Sequence, residues 1–135
     1  MKKTISIVVP CYNEEENVVP LANALRLCFK EQLPEYQYEI LFIDNDSSDK
    51  TREKIRGLCK LDKGIKAIFN AKNFGQFNSP YYAMLQSTGD ATILMAADFQ
   101  DPVEMIPRFV HAWEEGYRIV IGVKTESNES KIMYA

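Results

Sequence analysis

Short apolar runs alternate with amphipathic segments along this chain, and that alternation limits the folds open to it. Five runs have the length and residue types of strands: 4–9, 38–43, 65–69, 91–95 and 117–123. The segments between them have helical spacing of apolar positions, as at Leu21, Ala24, Leu25, Cys28 and Phe29. Strands that alternate with helices make right-handed crossovers, so the sequence predicts an α/β fold with a mostly parallel sheet flanked by helices.

Two later helices carry start signals. Residues 78–80 (NSP) place a capping residue before a proline and predict the start of the third helix. Asp101, Pro102 and Glu104 match an N-cap, a first-turn proline and a capping-box glutamate. We therefore expect Asp101 to cap the fourth helix rather than to bind a ligand.

Composition excludes several classes of protein. The chain has 135 residues, 46% of them hydrophobic, which fits one globular domain or a piece of a larger one and excludes a disordered chain. Its net charge of -3 and lack of a basic cluster argue against nucleic acid as a partner. No apolar stretch reaches the roughly 18–20 residues of a membrane span, so we expect a cytoplasmic location. Dinucleotide-binding and P-loop glycine motifs are absent from the sequence.

The ends of the predicted strands hold the polar residues suited to chemistry. Ligands of parallel sheets bind at the carboxyl ends of the strands, which here are followed by residues 10–13, 44–46, 70–76 and 96–101. Asp98 has no capping task, and with the amide oxygen of Gln100 it offers the hard oxygen ligands that Mg²⁺ or Mn²⁺ accepts. A single carboxylate holds such a metal weakly, so we expect a diphosphate to complete the site.

Four segments, in order, resemble the motifs of family 2 glycosyltransferases. They are residues 8–15 (VVPCYNEE), 44–49 (DNDSSD), 73–75 (NFG) and 98–104 (DFQDPVE). The first and last resemble the branch that transfers a sugar to a polyisoprenyl phosphate, as dolichol-phosphate mannosyltransferases do. The resemblance implies a GT-A (nucleotide-diphospho-sugar transferase) fold, a nucleotide-sugar donor such as a UDP-sugar, a divalent metal, and inversion at the anomeric carbon.

The resemblance also implies roles for individual residues. The nucleotide pocket would be framed by Pro10, Tyr12 and Glu14. Asp44 and Asn45 would address the base, and Asn73 and Gly75 would belong to the same donor site. Asp98 and Gln100 would hold the metal and the donor diphosphate.

Three positions depart from the family pattern. The usual D-D-G-S has become Asp44, Asn45, Asp46 and Ser47, with an amide for the second acid and an acid for the glycine. The first acid of the D-x-D motif is replaced by Ala96, so we expect looser metal binding.

The resemblance implies two parts: a nucleotide-sugar-binding domain over residues 1–123, and the start of an acceptor segment over 124–135. Lys124 and Asn128 stand where phosphate-holding residues are expected, and residues 131–135 (KIMYA) suggest a helix start. The catalytic base is expected beyond Ala135, so this portion should bind donor and turn over little.

The expected acceptor is a lipid phosphate or an envelope glycan at the cytoplasmic membrane face. Two alternatives remain. Asn45 and Ala96 leave open a non-catalytic nucleotide-sugar sensor module. Asp44 at a strand end leaves open a phospho-acceptor receiver domain, but Pro10, Cys11 and Tyr12 occupy the place of its acidic pair.

Overall fold

A computed structural model of the chain describes residues 2–124 and 130–134, without the side chains of residues 76–77, 121–124 and 130–134. The chain divides into two compact units, Met1–Asp101 and Pro102–Ala135. The first unit contains β1 (Thr4–Cys11), α1 (Val18–Gln32), β2 (Gln37–Asp44), α2 (Thr51–Leu61), β3 (Ile65–Phe69), α3 (Gly75–Gln86) and β4 (Ala91–Leu94). The second unit contains a short 3₁₀ helix (Val103–Met105), α4 (Ile106–Glu114), β5 (Val120–Lys124) and β6 (Ser130–Tyr134).

The first unit is built on a four-stranded sheet in the order β3-β2-β1-β4, and all of its strand pairs are parallel. Ile7 of the central strand β1 lies opposite both Ile40 and Ile93. Its neighbour Val8 is also fully buried, so the side chains on both faces of β1 are covered. Burial on both faces is why the central strands β1 and β2 read as continuous apolar runs, and the parallel pairing confirms the predicted α/β sheet.

The strand order creates a switch in the direction of the chain. Helices α1 and α2 carry the chain from β1 to β2 to β3, whereas α3 carries it back across the sheet to β4. With right-handed crossovers, α3 therefore lies on the face opposite to α1 and α2. In agreement, α3 packs on β1 and β2, and α1 packs on α2. Ligand crevices of such sheets form at this switch, which here lies between the carboxyl ends of β1 and β4.

A buried glutamate ties the sheet together away from that edge. Glu39 of β2 is 4% exposed and accepts hydrogen bonds from Ser6 Oγ (2.7 Å), Lys66 Nζ (2.6 Å) and Thr88 N (2.8 Å). Burial raises the pKa of Glu39, but the hydrogen bonds from Lys66, Thr88 and Ser6 outweigh it and lower the pKa to about 2. The carboxylate thus joins three strands and the loop before β4 as a charged, fully partnered group.

The third helix starts earlier than residues 78–80 predict. α3 begins at Gly75, and Pro80 lies inside it. Asn73 Oδ1 accepts a hydrogen bond from Gly75 N (2.8 Å), which provides a partner for a backbone donor of the first turn. Pro80 is the sixth residue of α3, beyond the first turn, and it removes the one helical hydrogen bond that a backbone N–H at this position would donate.

The second unit contains a separate antiparallel pair of strands. β5 begins at Val120, three residues later than predicted, and pairs with β6. The predicted helix start at residues 131–135 is wrong, because residues 130–134 form β6 and gain ladder hydrogen bonds that a lone helical turn would lack. Lys124 is the last residue of β5, and Asn128 lies outside the described residues. The domain division at residues 123/124 and the phosphate-holding roles of both residues stay predictions.

Candidate functional site

The loop after β1 is fastened to the loop after β2. Asn13 N donates to Ser47 Oγ (2.9 Å), and Ser48 N donates to Asn13 Oδ1 (2.9 Å). Glu14 N donates to Thr51 Oγ1 (2.8 Å). Neighbouring strands bring these residues together although more than 30 positions separate them in sequence, so the two loops form one wall at the carboxyl edge of the sheet.

The residues predicted to frame the nucleotide pocket lie on this wall. Pro10 is half-buried within β1, opposite Ile43 of β2. Tyr12 follows the strand and is 51% exposed, so its ring is available for stacking. Glu14 accepts a hydrogen bond from Asn17 Nδ2 (2.8 Å) and is half-buried. Their contacts with a nucleotide stay predictions.

Asp44 is the fully buried acid of the site. Arg52 Nε donates to Asp44 Oδ2 at 2.6 Å, and Ser47 N donates to the same oxygen at 3.1 Å. Arg52 also donates to the Asn70 carbonyl, which joins the ends of β2 and β3. The carboxylate therefore supports the wall from inside, and its predicted contact with a base stays a prediction.

Cys11, the last residue of β1, lies next to this acid. It is 2% exposed, and its Sγ donates to the Val9 carbonyl (3.5 Å). Burial, followed by the negative charges of Asp44 and Glu14, raises the pKa of the Cys11 thiol well above its usual range. A thiol that stays protonated is a poor nucleophile, so Cys11 serves as packing.

Asn45 connects β2 to the loop after β3. Its Nδ2 donates to Asn73 Oδ1 (2.8 Å) and to the Gly75 carbonyl (3.3 Å). Its Oδ1 accepts from Phe74 N (2.9 Å) and Asn70 Nδ2 (3.2 Å). Both ends of the amide are thus used within the protein, and Asn45 is only 8% exposed. The structure brings Asn45, Asn73 and Gly75 together, with Asn45 supporting the loop; direct contact of Asn45 with a base stays a prediction.

A cavity of about 400 Å³ adjoins this network and shares Asn70 and Phe74 with it. The cavity lies between the edge strand β3 and α3, where Phe69 and Tyr82 also line it. None of the residues predicted to contact the donor lines this cavity. The cavity does include Asn70, Ala71 and Phe74, which belong to the predicted ligand-binding segment of residues 70–76.

The loop after β4 holds the predicted metal ligands. Asp98 is exposed, and Gln100 donates to it twice, from its backbone N to Oδ1 (3.2 Å) and from Nε2 to Oδ2 (2.7 Å). The predicted capping role of Asp101 is wrong: Pro102 precedes the 3₁₀ helix, and no side chain caps it. Asp101 Oδ2 instead accepts from Ala96 N (3.0 Å), because closing the β4 loop on itself provides that half-buried donor with a partner. The loop thus leaves Asp98 at the surface.

These residues fit a divalent cation only as a partial site. In the described ranges, no group of three or more His, Cys, Asp or Glu side chains is close enough to hold a metal. Asp98 and Gln100 supply hard oxygen atoms next to each other, and Gln100 can turn its oxygen toward a cation if Nε2 releases Asp98. Mg²⁺ is commonly held by one or two carboxylates together with substrate phosphates, and this donor set matches that pattern.

Strained backbone is concentrated in three of these loops. Asn13, Asp46 and Phe99 have φ angles of 52°, 68° and 63°, which lie in the left-handed region. They are the only non-glycine residues with positive φ in the described part of the chain, and they follow β1, β2 and β4. A phenylalanine in this conformation is unusual, and such strain is found most often at functional sites.

Sequence reasoning missed Arg52, which joins Asp44 to Asn70 and places its guanidinium 5.5 Å from the Phe69 ring. Nothing in the local sequence marks this arginine, because its partners lie 8 and 18 positions away. The sequence likewise does not indicate that Asn45 holds the loop, because its partner Asn73 lies 28 positions away.

Known proteins match this chain in both sequence and fold. The sequence profile of the family described as Glycosyl transferase family 2 matches residues 6–132. The bactoprenol glucosyl transferase of Shigella phage SfX is 34% identical over 122 residues, which are 90% of this chain and 39% of the relative. The undecaprenyl-phosphate 4-deoxy-4-formamido-L-arabinose transferase of Yersinia pestis (strain Pestoides F) is 37% identical over 129 residues, 95% of this chain and 39% of the relative. The chain thus spans about two-fifths of the length of these relatives.

Solved structures show the same fold at lower identity. The mannosyltransferase PcManGT from Pyrobaculum calidifontis, in complex with GDP-Man and Mn²⁺, is 17% identical with a TM-score of 0.67 over 82% of this chain and 32% of that one. S. aureus TarS 1–349 in complex with UDP-GlcNAc is 23% identical with a TM-score of 0.67, over 85% of this chain and 32% of that one. These likenesses confirm the predicted GT-A fold. The profile match and the sequence relatives together show that this chain belongs to glycosyl transferase family 2.

Proposed function

We propose that this chain forms the donor-binding part of an inverting glycosyltransferase that moves a sugar from a nucleotide-sugar donor to a polyisoprenyl phosphate. Family membership supports the reaction class, and the names of the sequence relatives support a lipid-phosphate acceptor. The observation that supports the proposal is the exposed carboxylate of Asp98 in the loop after β4, beside the switch in strand order at which ligand crevices of such sheets form.

The strand order also suggests how a nucleotide-sugar donor would run along the edge of the sheet. Strands are about 4.8 Å apart, so the outer strands β4 and β3 are about 14 Å apart at this edge. A donor whose diphosphate lies by Asp98 at β4 would pass Tyr12 after β1 and place its base toward the ends of β2 and β3. The wall formed by the loops after β1 and β2 lies along that path.

Charge stabilisation is the main chemical task of such a site. When the sugar leaves the donor, the departing nucleoside diphosphate gains negative charge. Asp98 and Gln100 would hold a divalent cation, which when bound offsets this charge. Relatives of this fold were solved with Mn²⁺ alongside a sugar nucleotide, which supports the same cofactor class for this chain. Asp98 would be the single carboxylate anchor because Ala96 replaces the first acid of the motif.

We propose that the acceptor site, and the base that deprotonates the acceptor, correspond to the portion of the relatives that this chain does not match. Among the residues described, no helix is long and apolar enough to cross a bilayer. We propose that the unmatched portion makes contact with the cytoplasmic face of the membrane, where a polyisoprenyl phosphate presents its headgroup.

Calorimetric titration with UDP in the presence and absence of Mn²⁺ tests the proposal. With Mn²⁺, we expect Asp98→Ala to weaken UDP binding about tenfold or more, because a charge-assisted contact to the diphosphate is lost. Without the metal, wild type and variant should bind UDP equally weakly. Asp98→Asn keeps the size of the side chain and an acceptor for Gln100 N, and should behave like Asp98→Ala.

Glu31→Gln removes one exposed negative charge from α1 and serves as the charge control, which should leave UDP affinity unchanged. Equal affinity of wild type and Asp98→Ala for UDP in Mn²⁺ would contradict the proposed role of Asp98. Absence of any nucleotide binding by the wild-type chain would contradict the proposed function as a whole.

A further inference from the structure

The amide groups of Asn45 and Asn73 have orientations that the backbone fixes. Phe74 N can only donate, so the atom of Asn45 at 2.9 Å from it is the carbonyl oxygen. Gly75 N likewise identifies the atom of Asn73 at 2.8 Å from it as Oδ1. Asn45 Nδ2 then donates to that same Asn73 Oδ1 at 2.8 Å. Neither amide can flip without setting like groups against each other.

This arrangement determines what Asn73 offers to a ligand. Its Oδ1 already accepts two hydrogen bonds inside the protein, from Gly75 N and Asn45 Nδ2. The Asn73 side chain is exposed, so its Nδ2 group is the end that a ligand can reach. The site therefore presents a hydrogen-bond donor, held in place by Asn45, at the loop after β3.

The position of this hydrogen-bond donor indicates which part of a bound nucleotide it would contact. On the proposed function, on which this inference rests, the diphosphate lies by Asp98 at β4 and the base lies toward β2 and β3. Asn73 follows β3, and its amide is hydrogen-bonded to Asn45 at the end of β2. The Nδ2 group of Asn73 is therefore at the end of the crevice where the base would bind.

We propose that Asn73 selects the base of the donor nucleotide: its Nδ2 donates to the exocyclic oxygen O4 of uracil or O6 of guanine, while Asn45 positions the amide. Cytosine and adenine carry an exocyclic amino group at the corresponding position, which is itself a donor. Two donors cannot pair, so a CDP- or ADP-linked sugar is disfavoured. Asn73 is thus a specificity-determining residue, and Asn45 is a positioning residue.

The ratio of UDP to CDP affinity, measured by calorimetry with Mn²⁺, tests this assignment. The two nucleotides have the same ribose and phosphates and both are pyrimidines, so the ratio isolates the base. We expect the wild-type chain to bind UDP about tenfold more tightly than CDP. Asn73→Asp keeps an oxygen for Gly75 N and Asn45 Nδ2 but replaces the exposed donor with an acceptor. It should lower UDP affinity and invert the ratio in favour of CDP.

Three further variants make the test independent of folding and charge. Gln86→Glu adds the same charge at an exposed position at the far end of α3 and should leave the ratio unchanged. Asn73→Ala removes the donor without adding charge and should bring the ratio to about one, which gives the result even if Asn73→Asp does not fold. Asn45→Ala removes one of the two hydrogen bonds that hold Asn73 Oδ1, so it should reduce the ratio in the same direction but by less than Asn73→Ala does.

The outcomes separate the two proposals. Equal wild-type affinities for UDP and CDP, or an unchanged preference in Asn73→Asp and Asn73→Ala, would overturn the base-selecting role and leave the donor-binding function standing. Failure of the wild-type chain to bind either nucleotide would overturn the donor-binding function, and this inference with it.

Discussion

Replacement of Asn45 by aspartate exchanges one buried amide nitrogen for an oxygen of nearly the same size. In the wild type, this nitrogen donates to Asn73 Oδ1 (2.8 Å) and to the Gly75 carbonyl (3.3 Å). After the exchange, a carboxylate oxygen would face two acceptors. The bonds from Phe74 N and Asn70 Nδ2 to the other oxygen would remain. The change therefore tests the role of residue 45 as a hydrogen-bond donor, with little effect on packing.

The expected cost follows from these contacts. Each lost hydrogen bond contributes about 1 kcal/mol net, and repulsion between the new oxygen and its two acceptors adds to that loss. We expect Asn45→Asp to lower the free energy of unfolding by about 2–3 kcal/mol at neutral pH. For a chain of this size, that corresponds to a decrease in Tm of about 8–12 °C.

Urea denaturation between about pH 7 and pH 4 distinguishes the loss of this hydrogen-bond donor from a general loss of stability. A protonated carboxyl at position 45 can again donate to Asn73, so the folded state favours the proton and raises the pKa of the new carboxyl above its unfolded value near 3.9. The penalty is then present above the folded pKa and is relieved as the pH falls through it. The stability difference between wild type and Asn45→Asp should therefore shrink on acidification.

Asn45→Ala is the matched control, because it also loses the donor but has nothing to protonate. Its stability difference from the wild type should stay constant over the same pH range. If Asn45→Asp is as stable as the wild type at pH 7, or if both variants show the same pH dependence, the inferred orientation of the amide network is refuted.

Two further predictions concern the part of the fold that supports the site. Glu39→Gln should cost at most about 3 kcal/mol at neutral pH. Because the pKa of Glu39 is lowered from 4.5 to about 2, its contribution is present above pH 4.5 and is lost as the pH falls toward 2, so urea denaturation curves of the two proteins should converge in acid. Gly89→Ala should destabilise by about 2 kcal/mol, since a Cβ there would lie 2.8 Å from Ser6 N and 2.9 Å from Thr4 O. Gly57→Ala in α2, where a Cβ would have no neighbour within 4 Å, should instead raise Tm slightly, and a decrease in both variants would contradict this assignment.

The parallel sheet could be predicted because its evidence is local. The strands β1 and β2 are short apolar runs buried on both faces, and each is followed by a helix with apolar residues at helical spacing. The order of the strands could not be predicted in this way. Nothing near residues 65–90 marks α3 as the helix that returns across the sheet to β4. The strand β6 was missed because a five-residue strand depends on its partner β5 more than on its own sequence.

The candidate site was predictable by location and much less by role. Tyr12, Asp44 and Asp98 lie at or after the carboxyl ends of β1, β2 and β4, as the sequence predicted, whereas ligand binding by these residues stays a prediction. The roles depend on contacts between loops that are distant in sequence, such as Asn45 with Asn73, 28 positions apart. Asp101 shows the limit of local signals: its sequence fits a helix cap, but the backbone N–H of Ala96 is its partner in the folded protein. Tertiary contacts thus override a local capping preference.

The two departures from the D-D-G-S pattern have physical explanations that favour a working donor site. Asp46 stands where the family has glycine, and its φ of 68° is a conformation that glycine adopts freely. Aspartate is among the few other residues that tolerate it, so the loop keeps the backbone that a glycine would give. Asn45 stands where the family has an acid, and an amide, unlike an ionised carboxylate, can both donate to Asn73 and accept from Phe74. Each of the two residues thus has the conformational or hydrogen-bonding property that its position in the loop requires. A loop that no longer binds a ligand would not be expected to keep these hydrogen bonds satisfied. This consistency favours the donor-binding function over a loop that has lost its ligand.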